Sequence, residues 1–162
     1  MPNHYLENDA VLSDCGKYRY LLRRTWDHKK PRALYVMLNP STADARLDDP
    51  TIRSCVRLVA GLGYGSMEVV NLYAWRATKP DELLAIADPV GPQNADHVEA
   101  ALGRCDMPIL AWGAWPARDA SIDVRNTIRA RRPAAFCFGK TKDGAPKHPL
   151  YVKTGTPLET YC

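Results

Sequence analysis

No stretch of this chain approaches the ~20 apolar residues that a membrane-spanning helix requires. The first residues, MPNHYLEND, lack the basic-then-apolar pattern of a secretory signal, so the protein is expected in the cytoplasm and away from membranes. Its five cysteines, Cys15, Cys55, Cys105, Cys137 and Cys162, include no CxxC pair. That spacing speaks against a structural zinc site or an iron–sulfur cluster, and no metal or other cofactor is expected. The odd count reads as free thiols, with Cys55 and Cys137 as small core residues inside apolar runs. No glycine fingerprint for a dinucleotide follows the first strand. A P-loop and a G-x-S-x-G elbow are also missing, which excludes the usual nucleotide-triphosphate and serine-hydrolase signatures. Neither sign of charge dominates: the net charge is +4, compatible with a polyanionic partner without demanding one. Internal repeats, low-complexity runs and linkers are absent. The 162 residues are therefore read as one domain, 1–162, expected as a monomer.

What the chain does contain is an alternation of apolar runs and amphipathic segments. Residues 17–26 (KYRYLLRRTW) read as a strand, pairing with 10–12 across the turn at 13–16. Residues 33–38 (ALYVML), 67–73 (MEVVNLY), 108–112 (PILAW) and 134–138 (AAFCF) read as buried strands. Between them lie predicted helices over 50–61, 80–87, 93–104 and 118–131. The first opens with Asp49 as N-cap and Pro50 at the first helical position, and ends at Gly61 and Gly63. This order predicts an α/β fold of three layers, α/β/α, around a central, mainly parallel four-stranded sheet, with an N-terminal β-hairpin.

In such sheets ligands bind at the carboxyl ends of the strands. Four polar loops follow the strands here, at 39–44, 71–78, 113–115 and 139–149. If they share one rim, Asn39, Asp44, Asn71, Lys140 and His148 surround one pocket. Each has a plainer reading as well. Asn39-Pro40 makes a strand-ending turn, Asn71 satisfies backbone groups at a strand end, Asp44 and Asp48 make surface carboxylates, His148 a surface histidine, and Lys140, Lys142 and Lys147 a solvated charge run.

The segment Asn39-Pro40 after an apolar strand resembles the first motif of the uracil-DNA glycosylase superfamily, most of all the branch with Asn-Pro-Gly. Val69-Val70-Asn71-Leu72-Tyr73 with Arg76-Ala77-Thr78 is similar to its central strand and loop. Ile109 to Gly113 resembles its next strand, and His148-Pro149 its closing motif. The strings LNPSTAD, DDPTIR, VVNLYAWRAT and KDGAPKHPLY also resemble an uncharacterised bacterial and phage domain family over nearly the whole chain. Three departures from the superfamily stand out. Ser41 replaces the glycine after Asn-Pro, the closing motif is His-Pro-Leu-Tyr, and Asn39 stands where the uracil-specific branch has a water-activating aspartate.

The resemblance implies a DNA glycosylase that flips a non-canonical base out of double- or single-stranded DNA and hydrolyses its N-glycosidic bond. Asn39 would hold the water, and Asp44, the nearest free carboxylate, would activate it. His148 would stabilise the departing base. The base pocket would be formed by Pro40, Ser41, Asp48, Asn71 and Tyr73. Leu150 or Tyr151 would fill the gap in the DNA, and Arg118, Arg125, Lys140, Lys142 and Lys147 would meet it from the basic side. Because Ser41 is small where the uracil-specific branch carries a bulky aromatic, a C5-modified pyrimidine of phage DNA is an expected base, with antiviral defence as the role. Two other functions use the same rim: a hydrolase or transferase of free nucleotides, and a non-catalytic nucleic-acid-binding module.

Overall fold

The computed structural model describes residue 2, residues 4–114 and residues 121–161. Among these, seven strands form one sheet in the order β1-β2-β4-β3-β5-β6-β7. They are β1 (Glu7–Leu12), β2 (Arg19–Thr25), β3 (Arg32–Met37), β4 (Ser66–Asn71), β5 (Met107–Leu110), β6 (Phe136–Cys137) and β7 (Glu159–Thr160). The sheet is mixed. β4 and β5 both run parallel to β3, and β6 runs parallel to β5. β1 pairs with β2, β2 with β4, and β6 with β7 in antiparallel fashion. The expected four-stranded, mainly parallel sheet is thus corrected to seven strands, with half of the pairings antiparallel. The N-terminal hairpin is continuous with the sheet through the β2–β4 pairing. The strand β7, near the chain end, has no counterpart in the sequence reading.

β3 is central because its side chains are apolar on both faces. Leu34, Val36 and Leu38 pack into one core with Val98, Ala101 and Leu102 of α2 (Asn94–Arg104) and Val124 and Ile128 of α3 (Ile122–Arg131). Ala33, Tyr35 and Met37 pack into the other with Ile52, Cys55, Val56 and Val59 of α1 (Pro50–Gly61). Period-two alternation in the strand thus feeds two cores, covered by helices on either side of the sheet. Tyr35 reinforces the α1 face, its hydroxyl donating to the Cys55 carbonyl at 2.9 Å.

The start of α1 follows the expected pattern: Asp49 accepts from Ile52 N at 2.9 Å, and Pro50 fills the first turn. The predicted helix over 80–87 is a shorter 3-10 helix, Pro80–Ala85. Cys15, Cys55 and Cys105 are free, and Cys55 and Cys137 are buried. None of the described helices is long and apolar enough to cross a membrane.

Candidate functional site

The parallel strands place the ends of β3, β4 and β5 at one edge of the sheet, and a cleft of about 420 Å3 opens there. Its first wall is the turn after β3. Pro40 cannot donate to the ladder and ends it. The Pro40 carbonyl instead accepts from Ala77 N at 2.9 Å, joining this turn to the loop after β4. Asn39 clasps the same junction, its Nδ2 donating to the carbonyls of Ala77 (2.9 Å) and Pro40 (3.1 Å). With its nitrogen committed to protein carbonyls, Asn39 offers the cleft an acceptor, Oδ1.

Of the acids expected at the rim, Asp44 and Asp48 are placed elsewhere. Asp44 Oδ1 accepts from Arg46 N and Leu47 N at 2.8 and 2.9 Å, in a turn. Those backbone donors, Leu47 first, hold its carboxyl below the usual range. Asp48 binds Arg24 Nε at 2.9 Å and the Tyr5 hydroxyl at 2.5 Å. Neither lines the cleft. Among the described residues, the carboxylate that does is Asp49, at the N-terminus of α1. Its Oδ1 caps the helix, and its Oδ2 accepts a long 3.4 Å bond from Ala43 N. Asp49 reads as an N-cap in the sequence, and nothing in its spacing gives it a second role.

Asn71 ends β4 at the inner part of the cleft, only 1% exposed. Its carbonyl accepts from Nδ2 of the buried Asn94, at the start of α2, at 2.8 Å. Its own side-chain Nδ2 is sealed from solvent with no partner. An unsatisfied buried donor is costly, and ligand acceptors resolve such cases. Beside it in the lining is Arg19, absent from the sequence expectations. Arg19 is 2% exposed, with Nη1 donating to Ala43 O at 2.9 Å and Nε unpartnered. Burial pulls its pKa down to about 10, against the attraction of Asp49. Tyr73, expected in the base pocket, is a core residue on the α2–α3 side and does not line the cleft.

The opposite wall is a strap from the C-terminal part of the chain. His148 begins the 3-10 helix Pro149–Tyr151 and accepts from Leu150 N through Nδ1 at 3.2 Å. The neutral ring therefore carries its proton on Nε2, as a donor. Burial lowers the His148 pKa below the ordinary value and so favours the neutral ring, although Asp49 pulls the other way. Gly113 supports the strap. Its φ of +75° suits glycine, a Cβ there would stand 3.4 Å from His148 Cβ, and its N donates to Pro146 O at 2.9 Å. Leu150 and Tyr151, 46% and 80% exposed, form the outer lip.

Ser41, Ala77 and Thr78 also line a second cleft of about 440 Å3, which adds Lys17, Trp75 and Arg76. Lys17 Nζ lies 5.8 Å from the Trp75 ring centre. Of the basic residues expected on DNA, the four that are described do not line either cleft. Lys140 lies over the Tyr161 ring, Lys147 packs over Gly139, and Lys142 is exposed on the same loop. Arg125 is on α3, half-buried with Nε unpartnered. Arg118 lies outside the described residues, as does Trp115 at the end of the loop after β5.

The expected set is therefore brought together in part: Asn39, Pro40, Ser41, Asn71, His148, Leu150 and Tyr151 share one cleft, and Asp44, Asp48, Tyr73 and the three lysines stand outside it. The cleft offers an acceptor, two donors, a carboxylate and a buried cation around a partly apolar hollow. Such a site suits a small planar polar ligand. Residues 19–150 match a protein family described as a protein of unknown function (DUF1643). No curated protein and no solved structure matches the chain.

Proposed function

For this chain, which belongs to the DUF1643 family, we propose the hydrolysis of an N-glycosidic bond in DNA. The cleft receives an unstacked nucleotide, releases its base and leaves an abasic site. The observation that carries the reading is the meeting of Asn39, Asn71 and His148, from the end of β4 and the loops after β3 and β6, in one cleft whose lip is the exposed pair Leu150 and Tyr151. The resemblance of these same segments to the uracil-DNA glycosylase superfamily supports it.

In this reading the C1′–N1 bond of the nucleotide breaks, and its electron pair leaves on the base. Positive charge builds on the sugar. Water held by Asn39 Oδ1 forms the new C1′–O bond, and its proton passes to Asp49, the carboxylate in the lining. His148 Nε2–H donates to an oxygen of the departing base, and Asn71 Nδ2 donates to its edge. Leu150 or Tyr151 takes the place of the extruded nucleotide in the stack. Lys140, Lys142 and Lys147, on the loop preceding His148, meet phosphates. Ser41 belongs to both clefts, so a substituent at C5 of a pyrimidine has a path toward Trp75 and Lys17. A C5-modified pyrimidine of phage DNA, removed as a defence, is the substrate this favours.

The test is an abasic-site assay on plain DNA, uracil-containing DNA and DNA rich in 5-substituted cytosines, followed by alkali. Breaks are expected in the substituted DNA, and they should vanish with Asn39→Ala and His148→Ala. No breaks in any DNA, with a free nucleotide cleaved instead, would overturn the reading. One observation favours that second reading, an enzyme of free nucleotides: the unpaired, buried Arg19 also suits a phosphate.

A further inference from the structure

Two arginines of β2 are buried beneath the loop that carries Asp44 to Asp49, and their surroundings differ sharply. Arg24 is saturated. Its Nε binds the Asp48 carboxylate at 2.9 Å, and its Nη1 and Nη2 donate to backbone carbonyls that include Arg23 O at 2.9 Å and Asp44 O at 2.5 Å. Arg24 holds the loop in place, and its chemistry ends there. Arg19 makes one bond, to Ala43 O, leaves Nε sealed and unpartnered, and pairs with no carboxylate among the described residues. Asp49 attracts it only from beyond hydrogen-bond reach; a buried cation so incompletely paired is costly, and that cost falls when an anionic ligand arrives.

Arg19 also has a definite place along the cleft. Exposure falls from Tyr151 (80%) and Leu150 (46%) at the lip to Arg19 (2%) and Asn71 (1%) at the inner end. A ligand entering past the lip meets Arg19 and Asn71 with its leading end. For a nucleotide extruded from DNA, the leading end is the base, and its phosphates stay at the lip. We propose that Arg19 is the leaving-group residue of this cleft: with Asn71 Nδ2 it binds the negative charge that the departing pyrimidine acquires. This rests on the base-excision reading and deepens it. The electron pair of the broken C1′–N1 bond spreads onto the ring oxygens, and the guanidinium receives that charge without transferring a proton. The anion later takes its proton from solvent. His148, held neutral, adds a hydrogen bond but no charge, so among the described lining residues the cation is Arg19.

The experiment separates this assignment from the excision reading by using binding alone. Barbiturate, a pyrimidine trione that is anionic at neutral pH, and uracil, its neutral near-isostere, are titrated into the full-length protein. Trp112 in the cleft lining serves as the fluorescence reporter. The wild type should prefer barbiturate on the order of 10- to 100-fold, the range of a hydrogen bond to a charged group. Arg19→Met should erase the preference, Arg19→Lys should keep part of it, and Asn71→Ala should weaken both ligands. The Lys variant retains a cation for the loop, so it remains informative if the Met variant does not fold. Equal affinity for the two ligands in the wild type, or a preference that survives in both Arg19 variants, overturns the proposal. Inorganic phosphate bound more tightly than barbiturate in an Arg19-dependent way also overturns it, and assigns the cation to a phosphate. Failure to release any base from DNA, with the barbiturate preference intact, strikes the excision reading and leaves the anion site standing.

Discussion

At the scale of single residues, the cleft depends on which hydrogen-bonding groups have already been used. His148 gives the sharpest consequence. Its Nδ1 is occupied by Leu150 N, and burial lowers its pKa, so Nε2–H is the donor at neutral pH. Base release should therefore hold level through neutral pH and fall on the acid side below the ordinary histidine range. His148→Gln, which keeps a donor, should remove that acid limb at some cost in rate; a kcat/KM profile for both proteins checks this. The sign for stability is the same. A histidine whose folded pKa is depressed contributes stability that is full above its unfolded pKa and is lost as pH falls through the folded one. His97 is also depressed by burial, so the wild type must be compared with the variant to isolate the His148 share. Asn39 and Asn71 are legible in the sequence as polar residues at or near the ends of apolar runs, and His148 through the resemblance of His148-Pro149 to a closing motif. Arg19 is not, because a charged residue in an aromatic, basic strand reads as outward-facing. Only its partners, or their lack, reveal its role. The choice between Asp44 and Asp49 is equally hidden, since only four residues separate them and turn geometry alone turns one carboxylate away.

At the scale of elements, Asp49 is shared between α1 and the cleft, and its two duties separate by substitution. Asparagine caps a helix about as well as aspartate, whereas alanine forfeits roughly 1 kcal/mol of cap. Asp49→Asn should therefore leave thermal stability nearly unchanged, and Asp49→Ala should lower it by that amount. If Asp49 accepts the water's proton, both should slow base release on the order of 100-fold, the usual size of a general-base contribution. An Asn variant as active as the wild type would confine Asp49 to capping. Elements with strong local signals are the legible ones: α1 with Asp49-Pro50, α2, β3 and β4 all lie where the periodicity places them. β6 lies inside the expected strand 134–138 but keeps only two residues, and β7, also of two residues, is a strand only because β6 pairs with it. The segment at 80–85 carries a helix start at Pro80 but too few residues for α-helical turns to form, and it closes as a 3-10 helix.

At the scale of the whole molecule, the two ends of the parallel strands carry different work. The carboxyl ends hold the cleft. Toward the other end, Glu68 of β4 has no exposed side-chain surface and binds Arg23 of β2, Arg32 of β3 and Arg104 of α2 at 2.9 to 3.2 Å. Burial alone would raise its pKa, but the three guanidiniums, Arg104 foremost, hold it below the usual carboxylate value. One carboxylate thus ties the hairpin, the central strand and the α2 layer together, which no local window of the sequence announces. In MEVVN, Glu68 passes for a single polar position in a strand. Removing its charge leaves three arginines facing a neutral group, and breaking a buried pair costs about 3–5 kcal/mol. Glu68→Gln should therefore lose stability of that order in urea unfolding near neutral pH. The loss should narrow in acid, because the wild-type contribution itself fades as pH falls through the depressed carboxyl pKa. Base release per folded molecule should be unchanged, since none of these four residues lines the cleft. A Glu68→Gln protein as stable as the wild type would mean that the arginines are satisfied by solvent and that strand pairing and packing suffice to join the hairpin to the sheet.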